Sequence, residues 1–373
     1  MKRLLALALL AACGDNNSLP DAFVADSSID APAGPPRAVV VAGDFITPGF
    51  SGVMSQLDMT SMQMTQNVAP SGSIGNDPIV RKIGGELFVV NRAGGNNVTI
   101  FDATNLTVKD QLGTGAGSNP QDVATFASKV FVPAMGTAGV VVLTRGSTTV
   151  TTIDLSALDP DGLPDCVSAY RVGNDIYVAC ELLDQTFTPR GNGKVVVIDA
   201  TSLTVRATVT LSTPNPFGVF TELPDNLGLV IPTYEFGNAT SRCLEQLTVG
   251  ASPFSKGCLV QNAAVGGYVV GAAVQALDTS NMLWMIVNNG DFNSERARLW
   301  GYDLTTNTLW DTPITPDAQV LTDLAVCPNE QIVVADKTTS ANGLRVYEGT
   351  TEKTAEPLAV GLRPQSSPAI VCY

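Results

Sequence analysis

The densest set of hard oxygen ligands in the chain is Asp159-Pro160-Asp161-Gly162-Leu163-Pro164-Asp165. Carboxylates at alternate positions, with a glycine that lets the backbone wrap, are what a calcium loop needs. The run lacks the distant bidentate Glu that completes many such loops. Asp159, Asp161 and Asp165 therefore mark either a calcium site or an ordinary Asp/Gly/Pro turn, and the turn is the simpler reading. Asn289-Gly290-Asp291-Phe292-Asn293-Ser294-Glu295 is a poorer version of the same pattern. The chain has no histidine at all. That excludes Ser-His-Asp and Cys-His catalysis, histidine general bases, and His-ligated zinc, copper or haem. Aromatic residues concentrate at Tyr268, Trp284, Phe292, Trp300, Tyr302 and Trp310. Such a group either stacks on a glycan or clamps a peptide at a rim, or it fills an interior. The interior is the plainer use.

These residues need a scaffold, and the scaffold is written as a repeat. Short apolar runs return roughly every 48 residues, the first thing to seek in a chain of this length. They are Ala38-Val41, Leu87-Val90, Val130-Val132, Ile176-Val178, Leu229-Ile231, Leu283-Val287 and Ile332-Val334. Ile100-Phe101-Asp102-Ala103-Thr104-Asn105-Leu106-Thr107-Val108 returns two repeats later as Val197-Ile198-Asp199-Ala200-Thr201-Ser202-Leu203-Thr204-Val205. Leu57-Asp58 and Tyr302-Asp303 open looser copies. An Asp at the first position of a tight turn accepts from backbone N–H groups two residues on, so Asp58, Asp102, Asp199 and Asp303 read as turn-formers.

Each repeat has room for four short strands, one propeller blade. Low charge with abundant Gly, Thr, Val and Asn also favours an all-β domain. The expected architecture is a seven-bladed β-propeller of four-stranded blades over residues 37–373. The first repeat lacks an innermost strand, because Arg37-Ala38 leads straight into a second-strand pattern. Ser367 to Tyr373 resembles the inner strands of other repeats, such as Leu321 to Cys327. A C-terminal strand joining the first blade closes the ring and hides both sheet edges.

The blade-two segments Leu87-Phe88-Val89-Val90-Asn91-Arg92 and Asn96 to Asp102, followed by a turn with Asn119-Pro120, resemble the YVTN-type β-propeller repeat. Blade four matches well and blades five to seven match only in spacing. The resemblance implies structural motifs. Members include surface and binding proteins and some lactone-hydrolysing or lyase relatives, so it leaves function open.

The repeat frame also sorts six of the seven cysteines. Cys166 and Cys180 flank a hairpin with the loop Val172-Gly173-Asn174, and Cys243 and Cys258 bracket the outer hairpin of blade five. Cys327 and Cys372 occupy equivalent places on neighbouring inner strands, where a bond would lock the ring. An even set in an exported chain suggests disulfides. A metal cluster is disfavoured, since there is no Cys-x-x-Cys and no His.

Cys13 is the odd one. Met1-Lys2-Arg3 is basic, Leu4 to Leu10 is all Leu and Ala, and Leu10-Ala11-Ala12-Cys13 ends the run. That order is a secretory signal, too short to cross a bilayer. Leu-Ala-Ala-Cys resembles the bacterial lipobox, which implies cleavage after residue 12 and a lipid on Cys13. Residues 13–36, rich in Asp and Pro, then form an acidic tether. With 35 acidic residues against 21 basic, nucleic acid is a poor partner. The function expected is a membrane-anchored, non-catalytic binding or scaffold lipoprotein of the cell envelope, at the outer membrane, holding a protein, peptide or glycan. The alternative is a lactonase- or lyase-type enzyme using carboxylates and a divalent metal in the channel. Calcium is the one cofactor the residues suggest.

Overall fold

The second strand of each repeat is apolar at nearly every position, and this is what dictates the architecture. Alternating strand residues point to opposite faces, so a continuous apolar run must be covered on both. In blade four, Ile176 and Val178 pack toward blade three, while Tyr177 and Ala179 pack toward blade five. All four are shut off from solvent. Each fully buried side chain of this size stabilises the fold by roughly 1.5–3 kcal/mol.

A computed structural model describes residues 34–47, 49–291, 294–316 and 318–373. Among these residues there are seven antiparallel sheets of four strands each. The fold is a seven-bladed β-propeller. Seven apolar clusters accompany them, one between each pair of neighbouring blades. Cys13 and residues 1–33 as a whole lie outside the described residues, and so do Phe292 and Asn293.

Blade two has strands Pro78–Ile83, Glu86–Asn91, Asn97–Asp102 and Val108–Gly113. In the turns that close the third strands, Asp58, Asp102, Asp199 and Asp303 each accept two backbone N–H groups, two and three residues on. Those bonds hold all four carboxyls below their usual range. The residue four places after each Asp takes a positive φ: Met62, Leu106, Leu203 and Asn307, between 57° and 60°. Leu106 is thereby drawn out of the outer strand and into the core.

Ring closure follows the expected course. Ile370–Cys372 pairs antiparallel with Arg37–Ala42, in the register Ala38 with Cys372 and Val40 with Ile370. The three expected disulfides are present: Cys166–Cys180, Cys243–Cys258 and Cys327–Cys372. The blade-four hairpin turns on two residues, Gly173-Asn174, because Val172 still pairs with Asp175. The one α-helix among the described residues is a single turn, Asn262–Val265, and a 3-10 turn spans Ser156–Leu158.

Cys327–Cys372 joins the last blade to the first across 45 residues of sequence. Replacing both cysteines by serine is expected to cost about 2–4 kcal/mol. Non-reducing thermal melts check this, and a melting temperature equal to the wild type would contradict it.

Candidate functional site

All second strands end on the same face of the ring, and the residues just beyond them rim the central channel. Arg92 follows Asn91, Glu181 follows Cys180, and Lys337 follows Asp336. Residues that lead into the innermost strands fill the gaps between them, among them Phe217, Val219, Thr322 and Ser366. Together they enclose a cavity of about 410 Å³. That volume suits a small molecule.

Its lip is aromatic. Phe187, Phe217 and Phe236 are 63%, 37% and 51% exposed, high for phenylalanine. Behind them Tyr234 stacks on Tyr268 at 3.9 Å between ring centres and meets Phe236 edge-on at 4.9 Å. Burial pushes the Tyr268 hydroxyl up, and the neighbouring Tyr234 adds to the shift.

The charged groups of the wall divide into paired and unpaired. Arg92 donates to Asp77, whose Oδ1 also accepts from Ser366. Lys337 sits 2.8 Å from Glu295, which also accepts from the Asn288 amide. Glu181 is only 2% exposed and lines the cavity. Among the described residues its carboxyl has no hydrogen-bond or ion-pair partner. Burial pushes it well above the carboxylate range, and the charge of Asp165 adds to the shift.

Deeper in, a second cavity of about 280 Å³ lies between the innermost strands. Val80, Ala272, Val274 and Leu324 are among its apolar lining residues. Three charged residues line it: Lys82 donates to the Gly84 carbonyl, and the other two are held by the ring. Arg81 makes a bidentate pair with the buried Asp122, which also accepts from Ser168 and the Ala169 N–H. Asp323 accepts from Ser367 and from the Ala369 and Ile370 N–H groups.

The carboxylate run before blade four stands beside the mouth. Arg190 reaches Asp159 at 3.4 Å and Asp161 at 2.9 Å, so the positive charge in this loop is a guanidinium. Asp165 faces the other way and accepts from the Leu183 N–H, while its carbonyl accepts from the Glu181 N–H. Among the described residues, no three His, Cys, Asp or Glu groups come together in a set that could hold a metal ion. Of the blade-six aromatics, Trp284, Trp300 and Tyr302 fill the spaces between blades, and Trp310 packs edge-on to Trp284. Among the described residues of this group, only Tyr268 reaches the mouth. The lip comes instead from loops of blades four and five, where phenylalanines sit among Thr, Pro and Gly. The signal for Glu181 was an acid directly after an apolar second strand, where other blades place Arg92 and Lys337.

No family model and no curated protein matches the chain. Solved structures do. A proposed 6-phosphogluconolactonase from Bacteroides uniformis has a TM-score of 0.64 at 12% identity, covering 91% of this chain and 100% of that one. The periplasmic gluconolactonase PpgL of Pseudomonas aeruginosa gives 0.60 at 13%, over 90% and 98%. Apo AztD of Citrobacter koseri gives 0.54 at 14%, over 91% and 98%. The likeness is one of fold alone.

Asp165 gives the mouth a measurable pH dependence. Burial raises its carboxyl from 3.8 to about 6. A raised carboxyl contributes stability below about pH 4 that is lost as pH rises through about 6. Asp165→Asn keeps an acceptor for Leu183 and tolerates the φ of 50° found there. The variant is expected to melt higher than wild type at pH 7.5 and to show a flatter melting temperature between pH 4 and 7. An unchanged pH profile would contradict the assignment.

Proposed function

We propose that this protein is a lipid-anchored binding protein of the bacterial cell envelope, which holds a small ligand in the mouth of its propeller channel without transforming it. The observation that carries the reading is the cavity itself, with its aromatic lip and a buried carboxyl that the protein leaves unpartnered. A preformed, largely apolar pocket with a few convergent polar groups is the usual form of a ligand site. In the channel below, Arg81 and Asp323 are engaged by the ring and Lys82 donates to the Gly84 carbonyl, which favours holding over chemistry.

The anchor rests on the order of charges, apolar residues and small residues that ends at Cys13, followed by the acidic tether to residue 36. Three disulfides fit an oxidising compartment, as export supplies. With that anchor the ring is attached at the outer membrane.

A second reading, a lactonase-type enzyme, has one specific observation in its favour. Burial and the charge of Asp165 push the Glu181 carboxyl upward, the direction that suits a proton donor to a leaving oxygen. Its likeness in fold to two proteins named as gluconolactonases agrees with that reading.

Intact mass of the membrane-extracted protein, measured under native and then denaturing conditions, separates these. The expected result is a chain beginning at acylated Cys13 and a small molecule released in equimolar amount on denaturation. An unmodified or different N-terminus would overturn the anchor. Hydrolysis of gluconolactone above the buffer rate would replace binding by catalysis.

A further inference from the structure

The mouth carries one more acid than its cations can satisfy. Arg92 pairs with Asp77 through a terminal nitrogen while its buried Nε–H finds no acceptor among the described residues, and Lys337 pairs with Glu295. Glu181 is left over, buried and aimed into the cavity. The groups facing it do not relieve it. Asp165, on the loop that receives the Glu181 N–H, is itself an acid, and Arg190 beyond it is occupied by Asp159 and Asp161. Tyr268 lines the same cavity and is buried in its neutral form.

An unpaired acid of this kind is costly in the empty protein, because burial penalises a charge that nothing compensates. A ligand that brings a positive charge removes that cost, and an anion adds to it. The aromatic lip selects in the same direction. The faces of phenylalanine rings attract a cation and bury an apolar body, and together with an acid they form a cage suited to an organic ammonium. A neutral ligand would gain the apolar contacts only.

We propose that the channel mouth binds an organic cation, an ammonium carried on an apolar body, and that Glu181 is its counter-ion. The inference rests on the binding role of this cavity and adds the charge of what it takes. Burial and Asp165 together hold the Glu181 carboxyl high in the empty site, and a cation in contact with it acts against both.

Three probes of nearly equal size test it by titration calorimetry on the full-length, detergent-solubilised protein at pH 8: 2-phenylethylammonium, 2-phenylethanol and 3-phenylpropionate. The ammonium is expected to bind about tenfold or more tightly than the alcohol, and the carboxylate to bind weakest. Glu181→Gln should weaken the ammonium by about tenfold and leave the alcohol within about twofold. Phe236→Ala should weaken both. If the alcohol or the carboxylate binds as well as the ammonium, or Glu181→Gln leaves the ammonium unchanged, the cation inference is overturned while the cavity stands as a binding site. If none of the three binds, the binding reading falls with it. The three-probe comparison on the unaltered protein decides the matter even if the Gln variant fails to fold.

Discussion

A belt of hydrogen bonds runs around the innermost strands, and the rest of the molecule hangs on it. The Val80 N–H donates to the Pro368 carbonyl, joining blade two to the closing strand of blade one. Arg81 of blade two holds Asp122 of blade three, and Asp122 accepts from Ser168 and Ala169 of blade four. The Phe220 N–H of blade five donates to Ser168. Thr221 donates to the Ala272 carbonyl of blade six, and Gln275 of blade six to the Glu330 carbonyl of blade seven. Asp323 of blade seven then receives Ser367, Ala369 and Ile370 of blade one. Every blade is bound to the next, and the circuit has no open end.

The physical demand behind this belt is simple. Seven wedges packed by apolar contact resist separation but do not by themselves fix an angle, because hydrophobic attraction is non-directional. Hydrogen bonds are directional, and the buried carboxylates of Asp122 and Asp323 can each receive several at once. Burial raises the Asp323 carboxyl to about 6 even with those donors in place. Once the inner strands are fixed, the ends of the second strands are fixed with them. Arg92, Glu181 and Lys337 thus face one another across the mouth although far apart in sequence. The cavity is a product of closure and belongs to no single blade.

Much of this was legible in the residues. Runs such as Leu87-Val90 and Ile332-Val334 are apolar on both faces because both faces are covered, so their recurrence counted the blades. The Asp that opens each third-strand turn is visible because its chemistry is local. The missing first inner strand, and its copy at Ser367 to Tyr373, showed the closure, and the same frame paired the cysteines. The mouth was far less legible. Glu181 is one acid among many until the ring brings Asp77 and Glu295 to the two cations and leaves it alone. The aromatic cluster of blade six was conspicuous in sequence but belongs mainly to the spaces between blades. Phe187, Phe217 and Phe236 are scattered over loops whose convergence depends on closure. Arg190, which answers Asp159 and Asp161, lies too far along the chain for spacing to connect them.

The central claim is that the C-terminal strand is a working member of the belt, as firmly held as any other inner strand. Native-state hydrogen exchange tests that most directly, because terminal strands that only rest on a surface fray at low free energy. The Ala369 and Ile370 amides, bound to Asp323, should exchange with the same protection as Val80 of blade two and only through global unfolding. If they exchange early and independently while the other inner strands stay protected, the ring does not depend on its closure and the account is wrong.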